Sequence, residues 1–92
     1  MKGKRVYPVP QTKLGDFPIL QLNPGEYGKD SRTGFWFACP PGFSDSHLVA
    51  NLSNHTVTEH DDETITVEPS IQVTNTLATW HGFLEKGIWR EA

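Results

Sequence analysis

Short runs of alternating hydrophobic and polar residues fill the second half of the chain and predict β-strands. From His47 to Leu52 the apolar residues Leu48, Ala50 and Leu52 recur at every second position, so they share one face of an extended segment. The aromatic run at 34–38 is bounded by glycine on one side and by a Pro-Pro-Gly turn on the other, as a strand commonly is. Apolar residues do not recur at helical spacing over any helix-length window, although residues 70–77 could form a single helical turn.

β-branched residues dominate the segments 56–60 and 64–67, and three acidic residues, Asp61, Asp62 and Glu63, connect them. A short polar connection between two such segments is typical of a β-hairpin. Pro69 lacks the N–H group that an interior strand residue donates, so we expect it to end the second strand.

A second hairpin is predicted near the end of the sequence. The segments 79–84 and 88–90 flank residues 85–87, and Gly87 can adopt the left-handed conformation that a tight turn requires. These patterns together predict an all-β fold, in the form of a small antiparallel roll, sandwich or partly open barrel built from hairpins.

The length of 92 residues predicts a single domain spanning 1–92. We expect its β core to cover residues 34–90 and a loosely packed N-terminal arm to cover residues 1–15. The single cysteine excludes an intrachain disulfide, and no apolar run is long enough for a signal peptide or a membrane span. These features predict a cytoplasmic protein with no membrane partner.

Charge is divided unevenly along the chain, whose net charge is −3. Six basic and three acidic residues lie before position 34, whereas two basic and eight acidic residues follow from there on. Proteins that bind nucleic acid normally carry a basic patch on the folded part. Because the predicted β core is acidic, we expect no direct binding of nucleic acid.

The residues that could carry chemistry do not form a recognisable motif. Zinc sites usually show close pairs of ligands, whereas the soft ligands of this chain are widely spaced: Cys39, His47, His55, His60 and His81. A thiol hydrolase centred on Cys39 would need an activated thiolate, but prolines follow this cysteine in place of a helix. Ser70, Thr74 and Thr76 have no glycine-rich oxyanion motif beside them. The sequence therefore predicts no catalytic residue.

Two features suit contact with another protein. The acidic tip formed by Asp61, Asp62 and Glu63 could dock on a basic surface, although such a tip is also an ordinary solvated turn. Interface centres favour tryptophan and arginine, which makes Trp80, Trp89 and Arg90 candidate anchors for a partner. The alternative is that the tryptophans belong to the core.

The segments Pro69-Ser70-Ile71 and Trp80-His81-Gly82-Phe83 resemble a family of small proteins of tailed phages and prophages. In that family a Pro-Ser-Ile strand precedes a Cys/Trp-His-Ser/Gly-Phe segment and a glycine-containing hairpin. Many of its members look like zinc ribbons. The resemblance implies zinc ligands at Cys39, His47 and His81, although a nearby second cysteine is missing and Trp80 stands where another cysteine often occurs.

The leading hypothesis from these observations is a non-enzymatic protein of a phage or mobile element in the host cytoplasm. It would bind a host or phage protein, for example as an inhibitor of a defence or nucleic-acid enzyme. The alternative is a zinc-binding structural domain that uses Cys39, His47 and His81, and a third hypothesis is the Cys39 thiol hydrolase. Otherwise no cofactor is expected. Unprotected edges of short strands also make a homodimer plausible.

Overall fold

Strands alone make up the regular structure of the chain in the computed structural model. The structure describes residues 1–7, 11–14, 17–20, 22–42, 49–74 and 79–92, with only the backbone for 11–14 and 17–20. No helix occurs in these ranges, so none of the described residues forms a helix that could cross a membrane. The strands are β1 Lys4–Val6, β2 Gln11–Leu14, β3 Phe17–Leu20, β4 Glu26–Lys29, β5 Trp36–Ala38, β6 Ala50–Asn51, β7 Thr56–Glu59, β8 Ile65–Thr74, β9 Thr79–Glu85 and β10 Ile88–Glu91.

The strands form two four-stranded sheets and one separate pair. The first sheet has the order β1-β4-β5-β6, with β1 parallel to β4 and the other neighbours antiparallel. The second sheet has the order β10-β9-β8-β7 and is antiparallel throughout, while β2 pairs with β3. The predicted all-β fold is confirmed.

Both predicted hairpins are present in the second sheet. Glu59 pairs with Ile65 across the β7–β8 turn, and Glu85 pairs with Ile88 across the β9–β10 turn. In the latter, Lys86 and Gly87 have φ angles of 48° and 75°. Positive φ at both central residues is the geometry that matches the twist of the flanking strands.

One hydrophobic core joins the two large sheets. The first sheet and the loops that flank its strands contribute Leu22, Tyr27, Ala38, Cys39 and Leu52, and the second contributes Ile65, Val67, Ile71, Trp80, Leu84 and Trp89. The alternation of these buried residues with exposed ones along β8 and β9 gives the second sheet one buried and one solvent-facing side.

The first residues, where the sequence predicts an arm, are hydrogen-bonded to both sheets. The backbone N–H of Trp89 donates to the carbonyl of Met1 over 2.8 Å, and that of Gly3 donates to the carbonyl of Gly87 over 2.7 Å. Arg5, in β1 of the first sheet, forms a 2.9 Å ion pair with Glu59 in β7 of the second. Residues 1–5 therefore tie the two sheets together.

Candidate active site

The solvent-facing side of the β8–β9 pair carries a serine and a histidine in direct contact. Oγ of Ser70 lies 2.9 Å from Nε2 of His81, within hydrogen-bonding distance. Ser70 is half-buried and His81 is exposed. This contact joins the segments Pro69-Ser70-Ile71 and Trp80-His81-Gly82-Phe83, on which the resemblance to phage proteins was based.

An irregularity in β8 accounts for the position of Ser70. Val67 pairs with Leu84 and Ile71 pairs with Gly82, so residues 68–70 oppose the single residue Phe83. Such a β-bulge accommodates Pro69, which cannot donate to a ladder, and Glu68–Pro69 is a cis peptide bond. The expectation that Pro69 ends the strand is wrong, because the bulge lets β8 continue to Thr74.

Regular pairing resumes directly after the bulge and brings the two side chains together. Gln72 lies opposite His81 in the ladder, and Ser70 is two residues before Gln72 on the same face. Residues diagonal to each other across an antiparallel pair are close enough for long side chains to touch. The histidine ring therefore reaches the serine hydroxyl without any loop.

The buried side of the same strands holds this pair in place. Ile71, Trp80 and Gly82 alternate with Ser70 and His81 and lie in the core. A Cβ atom at Gly82 would come within 2.5 Å of Cη2 of Trp80 and would also collide with the carbonyl of Arg90. Glycine at position 82 therefore allows the Trp80 ring to pack directly beneath the strand that carries His81.

Aromatic and charged side chains lie beside His81 on the solvent-facing side of the sheet. The rings of His81 and Phe83 are 6.4 Å apart, and the guanidinium of Arg90 lies 4.4 Å from the centre of the Phe83 ring. Arg90 also forms a 2.8 Å ion pair with Glu85. Arg90, a predicted partner anchor, thus lies at the surface and covers Phe83.

A groove opens next to Ser70. Its volume is about 550 Å³ and its lining consists of Thr66, Val67, Glu68, Pro69, Ser70, Phe83 and Glu85. Ser70 forms part of the wall of this groove, whereas its partner His81 lies outside the lining. The sequence predicted no groove, because its formation depends on the bulge.

The Ser70–His81 contact is suited to general-base chemistry. A neutral imidazole whose Nε2 accepts the serine proton makes the oxygen a nucleophile. In the described part of the chain no side chain is bonded to Nδ1 of His81. Within the described residues the site is therefore a serine–histidine pair, with no third side chain bonded to the histidine ring.

The residues proposed as zinc ligands are distributed differently. Cys39 is fully buried, and its thiol lies 3.8 Å from the carbonyl oxygen of Pro40. His81 contacts Ser70, and His47 lies outside the described residues. Among the residues that are described, no three potential metal ligands come together. A site that includes His47 stays a prediction.

The other predicted partner-binding residues divide between surface and core. Asp61, Asp62 and Glu63 are exposed at the β7–β8 turn. The side chain of Asp62 accepts hydrogen bonds from the hydroxyl and the backbone N–H of Thr64, and these bonds lower the pKa of Asp62. In contrast, Trp80 and Trp89 are 6% and 3% exposed and pack edge to face at 5.4 Å. They are core residues, so among the predicted partner-binding residues the acidic turn and Arg90 are the ones at the surface.

Comparison of the sequence with models of protein families gives a match. The model of the BubE family, described as a bacterial ubiquitination-like system serine protease, matches residues 16–92. The matched range contains Ser70 and His81. Comparisons with curated proteins and with solved structures found no match.

The family match corrects the hypotheses drawn from the sequence. The resemblance to zinc-ribbon-like phage proteins was wrong, and so was the hypothesis of a non-enzymatic inhibitor, because the matching family is one of proteases. The thiol hydrolase hypothesis is also wrong, since the family is described as one of serine proteases and not of cysteine enzymes. Zinc binding as the protein's function is overturned by the same match. With residues 16–92 matched, which is well over half of its length, the chain belongs to the BubE family of bacterial ubiquitination-like system serine proteases.

Proposed function

We propose that this chain hydrolyses amide bonds in protein substrates of a bacterial ubiquitination-like system, with Ser70 as the nucleophile and His81 as its general base. The observation that carries this proposal is the 2.9 Å distance from Oγ of Ser70 to Nε2 of His81. Family membership supports the class of reaction, and the contact supports the choice of residues.

Ser70 and His81 together perform the acyl and proton transfers of the reaction. Oγ of Ser70 attacks the carbonyl carbon of the substrate while its proton passes to Nε2 of His81. The protonated imidazole then gives that proton to the leaving amine nitrogen, and an acyl ester on Ser70 remains. Water then attacks the ester while Nε2 of His81 accepts a proton from it. The imidazolium returns this proton to Oγ of Ser70 as the ester C–O bond breaks, so that the carboxylic acid leaves and the serine is restored.

The groove beside Ser70 is the proposed place for the substrate chain. It runs along the bulge and is bounded by Pro69 and Phe83, whose apolar surfaces can pack against a substrate backbone. Ser70 lies on an open sheet face, not in a deep cleft. This setting favours an extended segment of a protein over a small enclosed ligand.

The remaining predictions about partners concern surfaces away from this site. The acidic turn of Asp61, Asp62 and Glu63 stays a predicted contact for a basic partner surface. A homodimer and a cytoplasmic location likewise stay predictions.

Reaction with a fluorophosphonate tests the proposed nucleophile, since this reagent forms a stable phosphonyl ester with activated serines. We expect peptide mapping by mass spectrometry to locate one adduct on Ser70. The His81→Ala protein should react far more slowly. An adduct on another serine, or no adduct on folded wild-type protein, would contradict the assignment.

A further inference from the structure

A second histidine contacts Ser70 on its main-chain side. Nε2 of His55 lies 3.1 Å from the carbonyl oxygen of Ser70. Ser70 thus lies between two imidazole rings, with its hydroxyl on His81 and its carbonyl on His55. The reaction as described above uses only the first of these rings.

The end of β7 explains why a side chain bonds this carbonyl. Strand β7 begins at Thr56, whose ladder partner is Glu68, so backbone pairing on this side of β8 stops before Ser70. His55 immediately precedes β7, and its ring lies where the next strand residues would have continued the ladder. The imidazole therefore supplies the hydrogen bond that a strand backbone would otherwise supply.

The hydrogen-bonding state of the His55 ring follows from its partner. A carbonyl oxygen can only accept, so Nε2 of His55 must carry the proton that it donates. Nδ1 of His55 is buried and has no hydrogen-bond partner among the described residues. The bond to Ser70 is thus the one polar contact that the ring makes within that part of the chain.

The backbone that carries the His55 ring is itself held in a turn. The backbone N–H of His55 donates to the carbonyl of Leu52 over 2.9 Å, which closes the turn before β7. His55 shares the lining of a second pocket with Trp36, Leu52 and Val57. A ring carried on a fixed turn can restrain the carbonyl group to which it is bonded.

We infer that His55 is a positioning residue that fixes the Ser70 main chain within the bulge and so aims the serine hydroxyl at His81. This inference rests on the proposed function. Displacement of a catalytic group by about 1 Å can cost about a hundredfold in rate, and a bulge that lacks ladder bonds on one side needs another restraint.

Two substitutions of His55 distinguish the effect of its hydrogen bond from the effect of the shape of its ring. His55→Gln can place an amide N–H near the position of Nε2, whereas His55→Phe keeps the ring and removes the donor. We expect the rate of fluorophosphonate labelling of Ser70 to fall about 10- to 100-fold in His55→Phe. In His55→Gln it should stay within about threefold of wild type, because the donor is retained.

His60 provides the matched control in the same sheet, since its Nε2 contacts Oγ1 of Thr66 and not Ser70. His60→Phe should label at the wild-type rate, and a thermal melt of each variant reports whether it is folded. Unchanged labelling in His55→Phe would overturn the inference, as would a His55→Gln rate no higher than that of His55→Phe. Wild-type protein that does not label at Ser70 would overturn the proposed function as well.

The tautomer of His55 gives a test on unmodified protein. Long-range proton–nitrogen NMR spectra at mildly alkaline pH should show the proton of His55 on Nε2 and none on Nδ1. A proton on Nδ1 alone would contradict the hydrogen bond to Ser70 and the positioning role with it.

Discussion

The Ser70→Ala variant is expected to lose hydrolysis of p-nitrophenyl acetate, an activated ester that serine hydrolases cleave through an acyl intermediate. Wild-type protein should release a burst of p-nitrophenol matching the amount of enzyme, because acylation of Ser70 precedes slower deacylation. Without Oγ no acyl ester forms. We expect the burst to vanish and the steady rate to fall by at least about 10⁴-fold.

The His81→Gln variant should show nearly the same loss, and the double variant should lose no more than either single one. Residues that act as one unit give such non-additive effects. Ser31→Ala is the matched control, because Ser31 is exposed in the turn between β4 and β5. Retention of the burst in Ser70→Ala, or losses that multiply in the double variant, would contradict the assignment of this pair.

Substitution of Trp89 is expected to cause the largest loss of stability. Trp89 is 3% exposed, packs edge to face against Trp80, and donates a 2.9 Å hydrogen bond from Nε1 to the carbonyl of Gly25. Because Gly25 precedes β4 and Trp89 lies in β10, this side chain joins the two sheets. Trp89→Ala should lower the free energy of unfolding by about 3–5 kcal/mol.

That loss is a large part of the stability of such a domain, which is about 5–15 kcal/mol in all. Trp89→Phe keeps most of the packing and loses the hydrogen bond, so it should cost about 1–2 kcal/mol. The exposed neighbour Arg90 serves as the control, and Arg90→Ala should change stability by less than about 0.5 kcal/mol. Urea titrations measure all three. Trp89→Ala as stable as wild type would show that the ring is a surface anchor and not a core residue.

Local patterns predicted the hairpins well. The turns at residues 61–63 and 85–87 lie between segments whose side chains alternate, and both the turn and the pairing follow from neighbouring residues. Pairing between distant segments was not predictable in this way. Residues 4–6, within the predicted arm, pair in parallel with residues 26–28, a contact for which neither segment carries a local signal.

Pro69 is the reason that the sequence did not predict the candidate site. With Pro69 taken as the end of a strand, Ser70 has no defined face and no neighbour across the sheet. The bulge restores the strand, and only then does Ser70 come diagonal to His81. The sequence did contain one signal for this site, namely a serine and a histidine in the two segments that resemble phage proteins. The sequence analysis connected His81 with a zinc site and not with Ser70, so it did not predict the contact between them.

The absence of a glycine-rich oxyanion motif beside Ser70 also argued against a catalytic role in the sequence. Such motifs belong to serines at the turn from a strand to a helix. Here the serine lies within a strand, and its environment is set by a bulge, by the ring of His55 and by the groove. Patterns from helical nucleophile sites do not apply to this arrangement.

The central claim is that the hydroxyl of Ser70 donates its hydrogen bond to Nε2 of His81, and the position of the proton on His81 tests it most directly. Long-range proton–nitrogen NMR spectra of the wild-type protein at mildly alkaline pH should show this proton on Nδ1, with Nε2 bare. The Nε2 resonance should shift in Ser70→Ala, because its donor is removed. A proton on Nε2 of His81, with the same spectrum in both proteins, would contradict the account.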